Sequence, residues 1–305
     1  MVEGQEDVTW DQWVALAHAA QEAGLEALFR SDHYGSVMGR IERGSLDAWT
    51  TLAGLASITQ GIRLGTLVSP VTFRHPSVLA KGAATVDHIS GGRVELGIGA
   101  GWNEQEHRAY GFPFPDTRTR IEMLEEQIEI VARSWGEDSF TFEGKHYSLA
   151  DLDAHPKPIQ RPRPNLLVGG SGGSASVRIA ARWADEYNTL FASVEECAKR
   201  RRDLDAAWES AGRDAHPVLS MMTTCLLGRT DSEVEERAGA LLRQTGRDMG
   251  VAEWLDGARE ERLVGTVSEV ATKIEALSEV GVERLMLQHL VHDDIEMVSL
   301  MGELV

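Results

Sequence analysis

Short runs of apolar and β-branched residues alternate along the chain with segments of helical periodicity. Each run has the length of a buried strand, and a helical segment follows it, as in a parallel sheet with helical crossovers. The seven runs are LEALF (25–29), IRLGTLV (62–68), RVELGIG (93–99), NLLVG (165–169), EYNTLF (186–191), VLSMMTTCLL (218–227) and VERLMLQHL (282–290). Seven or eight such repeats predict an α/β fold that closes into a (β/α)8 TIM barrel. An open doubly wound sheet is the alternative.

The start of the chain constrains the first repeat of this barrel. Thr9 has the features of a helix N-cap, and an apolar stripe begins at Trp10, so a helix starts almost at once. A barrel needs a strand before that helix, and Met1 to Gly4 can supply only the C-terminal end of one. We therefore predict that the first strand is largely missing, which leaves its two neighbours without a ladder partner.

Two insertions interrupt the alternation, and no composition break or repeat divides the chain, so we expect residues 1–305 to form a single domain. Within residues 136–164, FTFEGKHYSL alternates like a hairpin around Glu143-Gly144, and the proline-rich HPKPIQRPRP follows it. Residues 228–265 contain two charged helical segments, DSEVEERAGALLRQ and AEWLDGARE. Insertions of this length in a barrel usually cover its mouth or an interface.

Charge and composition exclude several classes of partner. The 305 residues carry a formal net charge of -18 without a basic stripe, so we expect no nucleic-acid partner. No apolar run reaches the roughly 18 residues of a membrane helix, and the start MVEGQEDVTW does not resemble a signal peptide. These features predict a cytoplasmic protein with no membrane partner. Cys197 and Cys225 are too few for a disulfide framework, and we expect reduced structural thiols.

A glycine-rich sequence, GIGAGW at 97–102, completes the strand at 93–99. A dinucleotide-binding fingerprint would need glycine at position 102 and should open the first strand-helix unit, so Trp102 argues against it. Glycines at the C-terminal end of a barrel strand instead leave room for a flat ligand, at the face where barrel active sites lie. A tight turn without a ligand is the alternative.

The sequence SDHY at 31–34 follows the strand LEALF directly, so Asp32 and His33 lie at the same face. A histidine can hold or transfer a proton near neutral pH, and a neighbouring aspartate can set its charge or tautomer. The segment GTLVSPVTFRHP, at the end of the next strand, brings further polar groups to this rim. The alternative is an aspartate that caps a helix and a histidine that packs beside it.

A glycine- and serine-rich turn, VGGSGGSAS at 168–176, joins a strand to a helix. Free backbone amides at the start of that helix, near Ser171 to Ser174, form an anion site suited to a phosphate. A flexible loop is the alternative.

Metal binding has little support in the sequence, and we expect no metal site. Glu104-x-x-His107 and Glu143-x-x-His146 each resemble half of a di-iron pair. The second spans a hairpin glycine, and the four-helix context of such sites is missing. The remaining histidines are scattered without zinc-ligand spacing.

Taken together, these segments resemble the luciferase-like monooxygenase superfamily, and more closely its branch of coenzyme F-420 (8-hydroxy-5-deazaflavin) dependent oxidoreductases. The residues that carry the resemblance are AHAAQEAGLEALFRSDHY, IRLGTLVSPVTFRHPSVLAKGAATVDHISGGRVELGIGAGWNEQEHRAYGFPF, PKPIQRPRPNLLVGGSGG and ARWADEYN. They span nearly the whole chain. They are specific to the superfamily and much less specific to one cofactor or substrate.

The resemblance implies a flavin or deazaflavin at the C-terminal rim of the barrel, with Asp32 and His33 beside the reactive ring carbon. It implies that Ala100 and Gly101 line the edge of the ring, and that Leu67-Val68 is a non-proline cis peptide in a bulge behind it. The cofactor-binding residues that it implies are Asp32, Leu67, Val68, Ser69, Ala100, Gly101, Gly170, Ser171 and Gly172, the last three at the phosphate.

The same resemblance implies hydride transfer between coenzyme F-420 and a small organic substrate, with His33 and Asp32 as the catalytic residues. One alternative is an FMN-dependent monooxygenase that uses O2 and reduced flavin, with the reduced flavin supplied by a separate reductase. Another alternative is a coenzyme-binding protein without turnover. A barrel hydrolase is the weakest alternative. Trp102 stands where a sugar-phosphate dehydrogenase branch has a catalytic glutamate, which argues against that substrate. Relatives commonly pair through helices, so we expect a homodimer.

Overall fold

The computed structural model describes residues 1–40, 42–214 and 216–305. The strands in this part of the chain are β1 (Ala27–Arg30), β2 (Arg63–Pro70), β3 (Val94–Gly99), β4 (Phe140–Glu143), β5 (Ser148–Leu152), β6 (Asn165–Gly169), β7 (Glu186–Leu190), β8 (Val218–Gly228), β9 (Leu263–Thr266) and β10 (Arg284–Gln288). The helices are α1 (Trp10–Glu22), α2 (Ala48–Ile58), α3 (Pro76–Ser90), α4 (Glu104–Tyr110), α5 (Thr117–Gly136), α6 (Ser174–Trp183), α7 (Val194–Ser210), α8 (Asp231–Thr245), α9 (Val251–Glu261), α10 (Val267–Glu279) and α11 (Ile295–Gly302).

Seven strands form one parallel sheet in the order β1-β2-β3-β6-β7-β8-β10. Each coincides with one of the seven runs expected from the sequence, so that prediction is confirmed. At the two edges, Val2 forms one parallel bridge to Arg30 of β1 and another to His289, just after β10. Among the described residues the sheet closes through Val2 alone, which gives a TIM-barrel arrangement with its first strand reduced to a stub, as predicted.

The local sequence explains where the helices begin and end. Thr9 caps α1 in a reciprocal capping box with Gln12, as expected at a Thr-x-x-Gln start. Pro76 occupies the first turn of α3, where its missing amide costs nothing. That helix ends at Gly91, whose φ of 70° is the left-handed conformation that glycine adopts most easily.

The two insertions contain the elements that the sequence predicts, together with one strand that it does not. β4 and β5 pair antiparallel as the hairpin at 140–152. Residues 228–265 form α8 and α9, and then β9, which pairs in parallel with the C-terminal part of β8. The four residues LVGT of β9 are too short for an alternating pattern to identify them.

The inside of the barrel is arranged in layers along the strands. Near the N-terminal ends, Arg284 contacts the carboxylates of Glu95 and Glu186. Above this charged layer lies an apolar cluster formed by Phe29, Leu67, Leu167, Met222 and Met286. Because all seven strands point the same way, their C-terminal ends meet at one face, which we call the upper face. The apolar cluster lies beneath the upper face and therefore separates the charged layer around Arg284 from the loops of the upper face.

Both cysteines are buried and unpaired. Burial raises the pKa of Cys197 to about 11 and that of Cys225 to about 12, so neither is a thiolate at neutral pH. None of the helices in the described ranges has the length and apolarity needed to cross a membrane.

Candidate functional site

Asp32 follows β1 at the upper face, and its carboxylate is buried. Its Oδ2 accepts hydrogen bonds from the hydroxyl of Ser69 at 2.6 Å and from Nη1 of Arg74 at 2.5 Å. Arg74 also donates to Asp47 at 2.8 Å. Burial opposes the charge on Arg74, but the charge of Asp32 outweighs this effect, and the pKa of Arg74 is raised. Asp32 is therefore an anchored and charge-balanced carboxylate rather than a free base.

His33 lies in the same loop, and Glu106 of α4 holds its ring. Nδ1 of His33 is 2.7 Å from Oε2 of Glu106, while Oε1 accepts the backbone amides of Tyr34 and Gly35. Burial lowers the pKa of His33, but the hydrogen bond and charge of Glu106 outweigh it and raise the pKa above 6.5. Burial likewise opposes ionisation of Glu106, yet the contact with His33 keeps its pKa below the ordinary value.

The second ring nitrogen of His33 is available for chemistry. Within residues 1–40, 42–214 and 216–305, Nε2 has no hydrogen-bond partner. Because Nδ1 faces a carboxylate, the ring keeps a fixed orientation when Nε2 gains or loses a proton. This arrangement suits a group that passes a proton to or from a bound molecule.

An exposed aromatic side chain lies beside this histidine. The indole of Trp102 meets the ring of His33 edge-on, with 5.7 Å between centroids, and it is 64% exposed. Leu190 and Phe191, at the end of β7, are also exposed at the upper face. An exposed aromatic group beside a polar centre is typical of a site that binds a flat or apolar molecule.

The bulge expected in β2 is present. The Leu67-Val68 peptide is cis, as predicted, and the pairing of β2 with β3 shifts register between Thr66 and Ser69. Leu67 turns into the apolar cluster inside the barrel, whereas Val68 remains half-buried.

The β2 bulge at Thr66 to Val68 also explains two of the glycines in GIGAGW. A Cβ on Gly99 would lie 2.7 Å from Cγ2 of Val68, and a Cβ on Gly97 would overlap the carbonyl oxygen of Thr66. These two glycines therefore make room for the β2 bulge. A direct contact with a ligand is not needed to explain them.

Ala100 and Gly101 follow β3 at the upper face, and both are half-buried. Gly101 has a φ of 78°, and a Cβ there would lie 3.3 Å from Pro70 and from Thr72. Its backbone conformation thus favours glycine whether or not a ligand is bound. Ala100 packs against the main core.

The glycine-rich turn after β6 retains free amides at the start of α6. Gly173 is the N-cap and supplies no side chain, so the first amides of the helix have no side-chain partner. Gly170 packs against Tyr187, whose hydroxyl accepts the amide of Gly172 at 2.9 Å, and Ser171 is exposed. The hydroxyl of Tyr187 thus anchors the middle of the turn at Gly172, whereas the first amides of α6 have no side-chain cap.

An arginine that the sequence analysis did not identify lies beside this turn. The guanidinium of Arg200, on α7, would contact a Cβ on Gly172 at 3.0 Å. Its Nη1 is buried and has no partner in the described structure. A buried cationic donor next to free helix amides is the arrangement that a phosphate group satisfies.

The histidines of the two Glu-x-x-His pairs make other contacts. His107 bonds to the hydroxyl of Thr72 at 2.5 Å and to the carbonyl of Asn103 at 2.6 Å. His146 instead contacts Glu122 at 3.2 Å. No group of three or more metal-binding side chains occurs in the part of the chain that the structure describes.

The structure brings together some of the predicted residues and adds others. Asp32 contacts Ser69 directly, and Val68 lies against Gly169, next to the phosphate turn. The sequence analysis missed Glu106, Arg74 and Arg200. Arg74 lies within TFRHP, which we expected only to add polar groups to the rim. The local sequence does not mark Glu106 or Arg200 as site residues, because ordinary helix surfaces also carry glutamate and arginine.

Comparison with known proteins gives consistent matches. The model of the luciferase-like monooxygenase family matches residues 2–284. The chain is 32% identical over 237 residues to a Mycobacterium tuberculosis protein whose name describes it as a candidate coenzyme F-420-dependent oxidoreductase, covering 73% of this chain and 64% of that one. It is 26% identical over 296 residues to the FMNH(2)-dependent dimethylsulfone monooxygenase of Pseudomonas putida, covering 89% of this chain and 80% of the relative.

A solved monooxygenase from Streptomyces bottropensis superposes with a TM-score of 0.83 at 26% identity, covering 97% of this chain and 92% of that chain. Another mycobacterial relative is 35% identical over 177 residues. That match spans 57% of this chain and only 60% of the relative's length.

Proposed function

Because the chain belongs to the luciferase-like monooxygenase family, we propose that it is an oxidoreductase that transfers a hydride between coenzyme F-420 and a small organic substrate. The family has both F-420-dependent and FMN-dependent members. The observation that carries the proposal is the position of His33 at the upper face, with Nδ1 held by Glu106 and Nε2 without a partner in the described ranges. A histidine fixed in this way can manage the proton that accompanies hydride transfer.

The choice of F-420 rests on similarity. Identity is 32% to the candidate F-420-dependent relative and 26% to the FMN-dependent one, although the second match covers more of the chain. Trp102 beside His33 supports a substrate other than a sugar phosphate, because an indole has no carboxylate that could act in place of the glutamate that the sugar-phosphate dehydrogenase branch has there.

The residues at the upper face fit a flat cofactor with a phosphate. The coenzyme, when bound, would supply the hydride chemistry. Its phosphate would lie at the turn formed by Gly170, Ser171 and Gly172. There Nη1 of Arg200 has no hydrogen-bond partner among the described residues, while Nη2 lies 4.0 Å from Glu196. Leu67, Val68, Ser69, Ala100 and Gly101 would form the surface that supports the ring. Trp102 would help to exclude water at His33.

His33 would act as the proton donor or acceptor at Nε2, and Asp32 would hold the loop through Ser69 and Arg74. Since Glu106 favours the protonated imidazole, His33 is best suited to donate a proton, or to stabilise negative charge on the bound molecule.

A monooxygenase that uses reduced FMN is the second candidate, because the dimethylsulfone monooxygenase matches 89% of the chain. Such an enzyme would need a separate flavin reductase. A coenzyme-binding protein without turnover is the alternative from another class.

Calorimetric titration of the purified chain with F-420 and with FMN separates these candidates. We expect F-420 to bind and to raise the melting temperature. Tight FMN binding without F-420 binding would reverse the assignment. Binding without oxidation or reduction of F-420, across a panel of small alcohols and carbonyl acceptors, would favour the non-catalytic alternative. Sedimentation measurements test the homodimer, which stays a prediction.

Two variants test the roles of individual residues. His33→Asn should lower turnover by roughly 100-fold and leave F-420 binding nearly unchanged, with exposed His18→Asn as the control.

Arg200→Met should weaken F-420 binding by about 10-fold through loss of a charged hydrogen bond. Arg202→Met, on the exposed side of the same helix, is its control. Equal binding by both arginine variants would refute the phosphate site.

A further inference from the structure

A cavity of about 780 Å³, which we call the outer cavity, lies between the start of α7 and α10. Met221 and Thr223 of β8 line it. Met222, between them, belongs to the apolar cluster inside the barrel, so its two neighbours point to the other face of the sheet. The outer cavity is therefore outside the barrel, and its volume is typical of a small-molecule site.

The floor of the outer cavity is apolar except for one hydroxyl. Met221, Leu263 and Leu277 are buried there. Thr223 is only 2% exposed, and its Oγ1 has no hydrogen-bond partner in the described structure. A buried hydroxyl without a partner costs free energy, and an acceptor atom of a ligand would remove that cost.

Lys273 lines the same cavity, but its charge is already in use. Its Nζ donates to the carbonyls of Arg259, Arg262 and Val264 at 2.6, 3.1 and 3.0 Å. All three protons of the ammonium group are therefore engaged, and Lys273 holds the end of α9 in place.

Arg262 differs from Lys273, because no hydrogen bond or ion pair joins its guanidinium to another residue within the described ranges. The guanidinium lies 5.7 Å from the centre of the Phe191 ring, and both residues line the cavity. Burial lowers the pKa of Arg262, and the charge of Arg247 adds to this effect. Arg262 thus carries a half-buried charge that no described carboxylate pairs with.

α7 begins at the outer cavity with Ser193 as its N-cap. The hydroxyl of Ser193 accepts the amide of Glu196, whose carboxylate accepts the amide of Ser193 in return. The amides of Val194 and Glu195 have no acceptor within the helix, and both residues line the cavity. The positive end of the helix dipole therefore adds to the charge of Arg262.

These donors meet at one end of the outer cavity. Thr223 follows Met222, whose carbonyl accepts the amide of Phe191 at 2.9 Å. The ring of Phe191 lies beside Arg262, and Val194 begins α7 three residues later. A hydroxyl, a guanidinium and free helix amides around one point are the donors that a carboxylate satisfies.

Four glutamates also line the outer cavity and oppose the binding of an anion: Glu195, Glu196, Glu260 and Glu261. All four are exposed, so water and salt screen their charges, whereas the half-buried Arg262 is screened less. The carboxylate of Glu196 is also occupied by the amide of Ser193. The less screened charges therefore favour an anion.

We propose that the outer cavity is a second ligand site, separate from the site around His33, and that it binds a small amphipathic carboxylate. The carboxylate would pair with Arg262 and accept hydrogen bonds from Thr223 and the first amides of α7. Its apolar body would lie over Met221 and Leu277.

Calorimetric titration of the whole chain with octanoate, octylamine and 1-octanol tests the chemistry of this ligand, because the three compounds share one alkyl chain. We expect octanoate to bind with a Kd of roughly 0.1–1 mM. The amine and the alcohol should bind at least about 10-fold more weakly, since neither satisfies the cationic donors. Octylamine or octanol binding as tightly as octanoate would overturn the proposal, as would the absence of saturable octanoate binding.

Substitutions locate the site. Arg262→Gln should weaken octanoate binding by about 10-fold, and Thr223→Val should weaken it by roughly 5-fold. Thr223→Ser keeps the hydroxyl and should bind like the wild type, which separates loss of the hydrogen bond from a change in packing. Arg118→Gln, on the exposed side of α5, is the control for charge.

His33→Asn should leave octanoate binding unchanged, because His33 belongs to the other site. Weaker octanoate binding by this variant would place the ligand at the upper face and refute a second site. Wild-type binding by both Arg262→Gln and Thr223→Val would likewise refute it, as would equal losses in Arg262→Gln and Arg118→Gln.

Discussion

Asp32 and His33 are neighbours in sequence, but their side chains have different partners. Asp32 is held by Ser69 and Arg74, so its negative charge is already balanced. His33 is held at one nitrogen by Glu106, and its other nitrogen has no hydrogen bond to any residue that the structure describes. The carboxylate that governs the histidine is therefore on α4, far along the chain, rather than in the adjacent aspartate.

Replacing Glu106 by glutamine should lower the pKa of His33, because the amide keeps the size of the side chain and removes its negative charge. Titration of the His33 ring protons by NMR at varied pH measures this. Glu104→Gln, on the exposed side of the same helix, is the control and should leave the midpoint unchanged. Identical midpoints in the Glu106 variant and the wild type would show that Glu106 does not set this pKa.

The same contact makes stability depend on pH. The pKa of His33 is raised, so its contribution is complete below its unfolded value of about 6.5 and is lost as the pH rises through the folded value. The pKa of Glu106 is lowered, so its contribution is present above about 4.5 and is lost as the pH falls through the folded value. The pair should stabilise the protein most between these limits.

Gly97→Ala should destabilise the protein by at least about 2 kcal/mol, because its Cβ would overlap the backbone of Thr66 and force the β2 bulge to move. Gly82→Ala, in the middle of α3 with open space around it, should instead stabilise by about 0.5–1 kcal/mol. Urea unfolding curves of both variants compare the two positions. Equal effects would mean that Gly97 is not required for packing.

These contacts show what the sequence can predict at the level of residues. The loops that carry Asp32, His33 and Leu67-Val68 could be located, because each follows an apolar strand. The partners Glu106 and Arg200 could not, because they approach from helices whose rotation depends on packing across the whole barrel.

At the level of elements, Arg93 joins the ends of two helices to β3. Its guanidinium donates to the carbonyls of Ala56 and Thr59 at the end of α2, each at 2.9 Å. It also donates to Ser90 at the end of α3, at 2.7 Å. Terminal carbonyls of a helix have no partners within the helix, so one half-buried arginine satisfies several of them at once.

Arg93→Met should therefore cost about 3 kcal/mol of stability, because it leaves these carbonyls without donors while keeping most of the apolar stem. Chemical denaturation measures this loss. Arg202→Met, on the exposed side of α7, is the matched control and should change stability by less than about 0.5 kcal/mol. A similar loss in both variants would argue against a specific role for Arg93.

The elements themselves were mostly predictable from the sequence. The seven barrel strands, the hairpin and the helix starts at Thr9 and Pro76 all follow from periodicity and capping residues. β9 was missed because its four residues form a strand only through pairing with the unusually long β8. A short strand of this kind is determined by its neighbour, which local sequence does not reveal.

At the level of the whole molecule, a buried charge cluster joins distant strands inside the barrel. Arg284 contacts Glu95 at 2.7 Å and Glu186 at 3.0 Å. Burial opposes ionisation of both carboxylates, but Glu95 also pairs with Arg63, so its pKa is lowered while that of Glu186 is raised. Within the cluster, the cationic partners of Glu95 therefore outweigh the effect of its burial on the pKa, whereas those of Glu186 do not.

The two shifts have opposite consequences for stability. The contribution of Glu95 is present above its unfolded pKa of about 4.5 and is lost as the pH falls through its folded value. Glu186, with a raised pKa, favours the folded state more as the pH falls and penalises it as the pH rises through its folded value.

Arg284→Met removes the cation that Glu95 and Glu186 share, and it should cost about 3–5 kcal/mol at neutral pH, because both carboxylates remain buried with less compensation. The loss should shrink as the pH falls, because the raised pKa of Glu186 lets protonation relieve the burial of its charge. Urea unfolding at several pH values measures this, with exposed Arg118→Met as the control. Adding Glu186→Gln to the Arg284 variant should recover part of the loss at neutral pH. A loss independent of pH, without recovery in the double variant, would show that the unpaired carboxylate is not its cause.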